Sequence, residues 1–218
     1  MRAYVALEIN PSLAHNIGMD KNTIEALRKR ASQHFLDSIA VKQEAEKVLP
    51  ESVARGVLAM VDCLKSGGKV MACGNGGSAA DAQHFAAELI GRFEREREEL
   101  AAIALTTDSS ILTAVGNDYS YDDIFSKQVR GLGKKGDILL GISTSGNSKN
   151  VVKAIEAAKK MGIKIIAFTG NGGGKIATLL DKDDIHLCVP STRTARIQET
   201  HLVLLHSLCD GVDHVLYD

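Results

Sequence analysis

The sequence predicts an α/β fold, with one doubly wound, five-stranded parallel sheet behind two N-terminal helices. Three observations support this fold class: five short β-type segments follow one another along the chain, each is almost continuously apolar, and each is followed by a polar or glycine-rich turn and a helical stretch. Apolar strands that alternate with helices are typical of a parallel sheet covered on both faces. The five segments are Lys69–Cys73, Ala101–Leu105, Asp137–Ser143, Lys164–Thr169 and Asp184–Val189.

Two helices precede the first predicted strand. Apolar residues recur at helical spacing from about Thr23 to Val48, and a second helix is expected from Glu51 to Leu64, between a proline and a glycine pair. Residues 1–18 have no clear period, so we expect a weakly ordered tail there, with Met19 as an alternative start. Residues 19–218 are expected to form a single domain that includes the helical pair.

The closing helix, roughly Thr194 to Tyr217, is more apolar than a surface helix usually is. The N-terminal helix has a similar excess of apolar residues. Helices with two apolar faces indicate subunit contact as well as core packing, so the pattern predicts a homo-oligomer. Burial of both helices within one chain is the alternative.

Composition excludes several classes of protein. The 218 residues carry 26 Lys+Arg and 27 Asp+Glu, a formal net charge of −1, and this balance argues against direct nucleic-acid binding. No apolar stretch approaches the roughly 20 residues of a membrane span. The cysteines form no CxxC pair, which predicts reduced thiols in a cytoplasmic protein. They are Cys63, Cys73, Cys188 and Cys209.

Two loops rich in glycine and hydroxyl groups follow the first and third predicted strands: GNGGS at 74–78 and STSGNS at 143–148. In a parallel sheet, ligands bind beyond the carboxyl ends of the strands, and the N-terminus of the following helix favours an anion. The loops therefore predict a site for a phosphorylated small molecule; ordinary turn and cap residues are the alternative. The chain has neither a Walker A motif nor a Rossmann fingerprint, which argues against nucleotide-driven phosphoryl transfer and hydride transfer.

Histidine, carboxylate and amide side chains on two helices are candidates for chemistry. His84 and Glu88 lie four residues apart, so they can converge on one metal ion or substrate atom. Gln198 and His206 are eight residues apart, about 12 Å along a helix axis, and can hardly reach one small ion together from a regular helix. One of them then approaches from a neighbouring subunit, or the helix is distorted. His201 is a rival candidate for this site, judged by its spacing along the helix alone.

Four sequence blocks carry a family resemblance: CGNGGSAADAQHFAAELIGRF, AVGNDYSYDDIFSKQV, GDILLGISTSGNSKNVVKAI and RIQETHLVLLH. In this order, over about 200 residues, they resemble the phosphoheptose isomerases of the sugar-isomerase (SIS) domain class, whose fold is flavodoxin-like. The resemblance implies aldose–ketose isomerisation of sedoheptulose 7-phosphate to D-glycero-D-manno-heptose 7-phosphate through an enediol. It further implies a cytoplasmic homotetramer in bacterial heptose and lipopolysaccharide core precursor synthesis.

The resemblance also implies the site residues. Glu88 and His206 match the proposed acid/base pair of the family. One zinc ion per subunit would be held by His84, Glu88, Gln198 and His206. The sugar phosphate would be lined by Asn75, Gly76, Gly77, Ser78, Glu88, Asn117, Asp118 and Gln198, and its phosphate held by Ser143, Thr144, Ser145 and Ser148.

Other functions compete with this interpretation. The ending SLCDGVDHVLYD also resembles the adaptor proteins that associate with the replication initiator DnaA, a sister group that shares the fold and the tetramer. That group carries non-catalytic residues at the positions of Glu88 and His206, whereas this chain keeps both, which favours the enzyme. A sugar-phosphate-sensing domain of a regulator, and an isomerase of a shorter sugar phosphate, are further alternatives.

Overall fold

The computed structural model describes residues 21–218. The tail expected for residues 1–18 and the alternative start at Met19 lie outside the described residues. The chain divides into two units, residues 1–39 and residues 40–218. The described residues of the first unit belong to helix α1 (Lys21–Val48), in agreement with the predicted helix from about Thr23. All predicted site residues lie in the second unit.

The second unit is built on a five-stranded parallel sheet in the order β2-β1-β3-β4-β5. This is the flavodoxin-like order, which changes direction between β1 and β3, so the carboxyl ends of these two strands flank the crevice in which such folds bind ligands. The predicted fold class is confirmed. The strands are β1 Val70–Cys73, β2 Ala102–Ala104, β3 Ile138–Ser143, β4 Lys164–Gly170 and β5 Ile185–Val189.

Helices connect the strands and cover both faces of the sheet. They are α2 Pro50–Lys65, α3 Gly77–Ile90, α4 Ser109–Asp118, α5 Ile124–Leu132, α6 Lys149–Lys160, α7 Gly174–Ala177 and α8 Thr194–Tyr217. Short 3₁₀ turns lie at Tyr121–Asp123 and Asn171–Gly173. Within the described residues, no helix is long and apolar enough to cross a membrane.

Two apolar layers enclose the sheet. Helices α2, α3 and α8 contribute Met60, Phe85 and Leu208 to the layer on one face. Residues from α5 and α6, such as Phe125 and Ile155, belong to the layer on the other face. Because α3 and α8 lie on the same face of the sheet, polar side chains of the two helices can meet there.

Candidate active site

The first loop turns the chain directly from β1 into α3. Gly76 has φ +55°, a left-handed conformation that favours glycine, and it allows the helix to begin at Gly77, directly after the turn. Gly77 lies against the carboxamide of Gln198, and a Cβ at position 77 would clash with that group. The first turn of α3 therefore touches α8 closely, with the buried hydroxyl of Ser78 beside it.

The second loop leads from β3 into α6. The Ser143 and Ser148 hydroxyls are 2.9 Å apart, and the Ser148 N–H donates to Ser143 Oγ at 3.3 Å. Gly146, with φ +67°, touches the backbone of Gly173 so closely that a side chain at position 146 could not fit. No side chain caps α6 at Ser148, and Ser145 is exposed. An uncapped helix N-terminus surrounded by hydroxyl groups is suited to an anion.

A pair of asparagines joins the two loops. Asn75 Nδ2 donates to Asn150 Oδ1 at 2.8 Å, and Asn150 Nδ2 donates to Asn75 Oδ1 at 2.8 Å. The Tyr121 hydroxyl also donates to Asn75 Oδ1, at 3.2 Å. Since the loops follow adjacent strands of the sheet, this network makes them one continuous rim of hydrogen-bonding groups.

The predicted substrate residues Asn117 and Asp118 end helix α4. Both are exposed, and Asn117 Nδ2 donates to Asp118 Oδ1 at 2.8 Å. None of the residues of α4 is buried in this chain. Tyr121, three residues after Asp118, connects the segment to the first loop through its bond to Asn75. The two predicted residues therefore lie on a surface segment tethered beside the rim.

His84, Glu88 and His206 form a compact cluster between α3 and α8. His84 Nε2 is 2.7 Å from Glu88 Oε1 and 3.5 Å from His206 Nε2, and one ligand atom from each of the three residues lies within 4.8 Å of the others. The His84 and His206 rings meet edge to face, and the Phe93 ring lies 5.4 Å from the His206 ring between centroids. The three residues are partly buried, so the cluster remains partly accessible to solvent.

The donor set of this cluster fits a zinc ion. Ligand atoms at about 2.0–2.1 Å in a tetrahedral shell lie about 3.4 Å from one another, close to the 3.5 Å between the two imidazole Nε2 atoms. Two imidazoles and a carboxylate are donors that zinc accepts readily. Two imidazole nitrogens that face each other at this distance, with a carboxylate oxygen beside them, are arranged for a cation.

The structure separates the remaining candidates on α8. His201 is fully buried, with Nε2 3.0 Å from the Thr169 carbonyl oxygen, and burial lowers its pKa to about 4. It therefore lies in the core, apart from the cluster. Gln198 lies against Gly77, which is seven residues before His84 and therefore near the same face of α3. Helical side chains lean toward the N-terminus of their helix, so His84 leans toward this amide.

Comparison with known proteins places the chain in a family. Residues 33–170 match the SIS domain. The phosphoheptose isomerase of Dechloromonas aromatica (strain RCB) is 63% identical over 187 residues, which cover 86% of this chain and 95% of the relative. The chain belongs to the phosphoheptose isomerase family. The phosphoheptose isomerase of Neisseria gonorrhoeae (strain NCCP11945) is 59% identical over 192 residues, 88% of this chain and 98% of that protein.

A solved phosphoheptose isomerase has the same fold. The structure of the N. gonorrhoeae enzyme matches with a TM-score of 0.83 and 56% identity, over 86% of this chain and 99% of that one. The predicted family is confirmed by these matches. The relatives named here are phosphoheptose isomerases, so the alternative of a DnaA-binding adaptor gains no support from them.

Sequence reasoning missed three residues that shape this phosphoheptose isomerase site: Asn150, Tyr121 and Phe93. Asn150 pairs with a residue 75 positions away, a contact that only the order of the strands determines. Tyr121 follows the AVGND segment within the same sequence block, and this proximity was the available signal. Phe93 lies just beyond the end of α3, where no periodicity marks the side chain that contacts His206.

Proposed function

We propose that this phosphoheptose isomerase converts sedoheptulose 7-phosphate to D-glycero-D-manno-heptose 7-phosphate. The observation that carries the proposal is the meeting of Glu88 and His206 on the helices of the same sheet face, with two joined loops rich in hydroxyl groups at the start of α3. Isomerisation of a ketose phosphate needs a base, an acid and a remote anchor for the phosphate, and these features supply all three. The names of the relatives support a seven-carbon sugar phosphate as substrate.

In the proposed reaction, Glu88 and His206 divide the proton transfers. The Glu88 carboxylate takes a proton from C1 of the ketose, and His206 donates a proton to the carbonyl oxygen on C2, which yields a cis-enediol. His206 then takes the proton of the C1 hydroxyl, and Glu88 returns its proton to C2, so that the aldose forms with no net gain or loss of protons. General acid–base steps of this kind contribute about 10²–10⁴-fold.

We propose that His84, Glu88, Gln198 and His206 bind one zinc ion per subunit. A bound zinc ion would act as a Lewis acid toward the sugar oxygens. His206 can serve as ligand and as acid/base because Nε2 faces His84, which leaves Nδ1 to exchange protons with the sugar oxygens. Glu88 can serve both purposes because a carboxylate has two oxygens. Oε1 faces His84, which leaves Oε2 to accept the proton from the substrate carbon. The Gln198 carboxamide oxygen would complete the ligand set from a neighbouring subunit, because α8 is continuous over Thr194–Tyr217 and separates Gln198 from His206 by about 12 Å along its axis.

The two loops are proposed to hold the rest of the substrate. Ser143, Thr144, Ser145 and Ser148 would donate hydrogen bonds to the phosphate, at the uncapped N-terminus of α6. The sugar hydroxyls would meet the remaining predicted residues: Asn75, Gly76, Gly77, Ser78, Asn117, Asp118 and Gln198. A phosphate fixed at one end orients C1 and C2 at the other, which is how remote binding energy assists the chemistry.

We further propose a homotetramer that acts in the cytoplasm and supplies heptose for lipopolysaccharide core precursors. An apolar groove of about 550 Å³ is lined by the end of α1 with α2 and α8, and includes the exposed side chains of Leu58, Val203 and Val215. Exposed apolar surface of this kind marks an interaction site, and a second copy of the chain is the proposed occupant. Four free cysteine thiols agree with a reducing compartment.

The test is conversion of sedoheptulose 7-phosphate by metal-analysed protein in deuterated water. The wild type is expected to form the aldose and to incorporate solvent deuterium at carbon, whereas Glu88→Gln and His206→Asn are expected to lose at least about 100-fold in kcat. Full activity in either variant would remove its assigned role. A zinc-loaded wild type that leaves the sugar unchanged but binds a replication initiator would replace the enzyme proposal with the adaptor alternative.

A further inference from the structure

A single buried arginine connects the two helices of the cluster. Arg97 Nη2 donates to the backbone carbonyl of Glu88 at 2.7 Å, and Nη1 donates to the carbonyl of Leu89 at 2.8 Å. On its other side, Arg97 Nε donates to Asp213 Oδ1 of α8 at 2.8 Å. The side chains of Arg97 and Asp213 are only 1% and 6% exposed. The guanidinium is therefore a dry bridge from the last turn of α3 to α8.

The bridge lies next to the reactive groups on both helices. Glu88 itself supplies one of the carbonyl acceptors, so the contact determines where its backbone lies. Asp213 is seven residues, two helical turns, after His206, so both side chains lie near one face of α8. The segment that carries Arg97 also carries Phe93, whose ring lies against His206. One short segment thus contacts the backbone of Glu88 and the ring of His206.

A gain in folding stability does not by itself explain why the chain has this buried bridge. The free energy gained by a buried ion pair is largely offset by desolvation of the two charges, and apolar residues of similar volume are often equally stabilising. Asp213 Oδ2 is buried without a hydrogen-bond partner in the described residues, which adds to the cost. The pair of Arg97 and Asp213 instead fixes the distance between α3 and α8, because the planar guanidinium donates several hydrogen bonds in fixed directions.

We propose that Arg97, held by Asp213, is a positioning residue that sets the separation of Glu88 from His206. The proposal rests on the proposed function, because it assigns importance to that separation. The phosphate loops lie at the opposite end of α3, about 15 Å along the helix from Glu88. Loss of Arg97 therefore affects metal binding and turnover much more than attachment of the phosphate.

Lysine at position 97 tests the geometry. An ammonium keeps the charge but donates from one point, and it cannot reach the Glu88 carbonyl, the Leu89 carbonyl and Asp213 together in the planar arrangement that a guanidinium allows. Arg95→Lys is the matched control. Arg95 lies in the same segment and pairs with Asp218 at the end of the same helix, but that pair is 40% and 50% exposed.

The experiment measures zinc affinity by competition with a chromogenic chelator, together with kcat and KM for sedoheptulose 7-phosphate. We expect Arg97→Lys to bind zinc at least 10-fold more weakly and to lose at least 10-fold in kcat, with KM changed by less than threefold. Arg95→Lys should match the wild type in all three. Wild-type zinc affinity in folded Arg97→Lys would overturn the proposal.

Two further variants distinguish positioning from general destabilisation. Asp213→Asn keeps the shape of the bridge and should show the same pattern more mildly, which covers the case in which Arg97→Lys does not fold.

Asp137→Asn, which removes a buried acceptor of Lys69 far from the site, should lower the unfolding midpoint but leave zinc affinity unchanged. An equal loss of zinc affinity in this variant would overturn the proposal. If the wild type binds zinc but does not isomerise the sugar, the proposed function is refuted. The zinc affinities of the wild type and Arg97→Lys would still show whether Arg97 positions the cluster.

Discussion

The side-chain amides of Asn75 and Asn150 exchange two hydrogen bonds of 2.8 Å across the crevice between β1 and β3. Asn150 is 2% exposed, so these bonds are shielded from water on one side. The pair explains how two loops that are 75 residues apart form a single binding rim. It also links the residues proposed to contact the sugar with those proposed to hold the phosphate.

Asn150→Asp is expected to raise KM for the sugar phosphate at least about 10-fold, with a smaller change in kcat. A carboxylate cannot donate to Asn75 Oδ1, and its negative charge would lie close to the bound phosphate, where water screens it poorly. Steady-state kinetics on the purified variant give both parameters. Lys160→Gln is the control, because it makes the same change in net charge at the exposed far end of α6. Equal KM values in the two variants would contradict the prediction.

Removal of metal is expected to abolish most of the activity, and added Zn²⁺ to restore it. His84 contacts both of the other donors in the cluster, so His84→Ala should weaken zinc binding by about 100-fold or more. His34→Ala is the control, since His34 is an exposed histidine on α1, a helix that carries none of the proposed ligands. Chelator competition and an activity assay on the same samples measure both effects. Full activity after complete chelation would argue against a metal-dependent reaction.

Val203→Glu is expected to dissociate the assembly. Val203 is 44% exposed in the isolated chain and lines the apolar groove, so the substitution would bury an unpaired carboxylate in the proposed subunit contact. Light scattering should show a species of half the wild-type mass or less. Leu132→Glu places the same charge on an exposed apolar position of α5 and should leave the mass unchanged. A wild-type mass for Val203→Glu would exclude this groove as the interface.

How much of this structure the sequence predicts depends on how far apart along the chain the interacting residues lie. Each strand was located to within one or two residues, because an apolar run and its flanking glycines act locally. Pairing of Asn75 with Asn150, and of Arg97 with Asp213, depends on the sheet order and on which faces of α3 and α8 meet. No local pattern encodes these contacts.

The positions of His201 and His206 show the same difference between what a local pattern encodes and what only long-range packing determines. His201 is four residues after Ile197 and seven before Leu208, in line with the buried stripe of α8, but spacing alone left it a rival candidate for the site until the structure placed it in the core. His206 is five residues after His201, about 140° around the helix, and so lies almost opposite that stripe. Only the packing of α3 against α8 reveals that it faces His84.

Titration of His201 is expected to make the metal-free protein less stable in mild acid. Burial lowers its pKa from 6.5 to about 4 in the folded state, so the unfolded chain binds more protons between these pH values. The contribution to the free energy of unfolding is complete above pH 6.5 and is lost as the pH falls toward 4, by about 3 kcal/mol. Urea unfolding at a series of pH values measures it. His201→Gln removes the titrating group, so its stability should fall less steeply than that of the wild type across this window, and parallel curves would show that His201 is not the residue responsible.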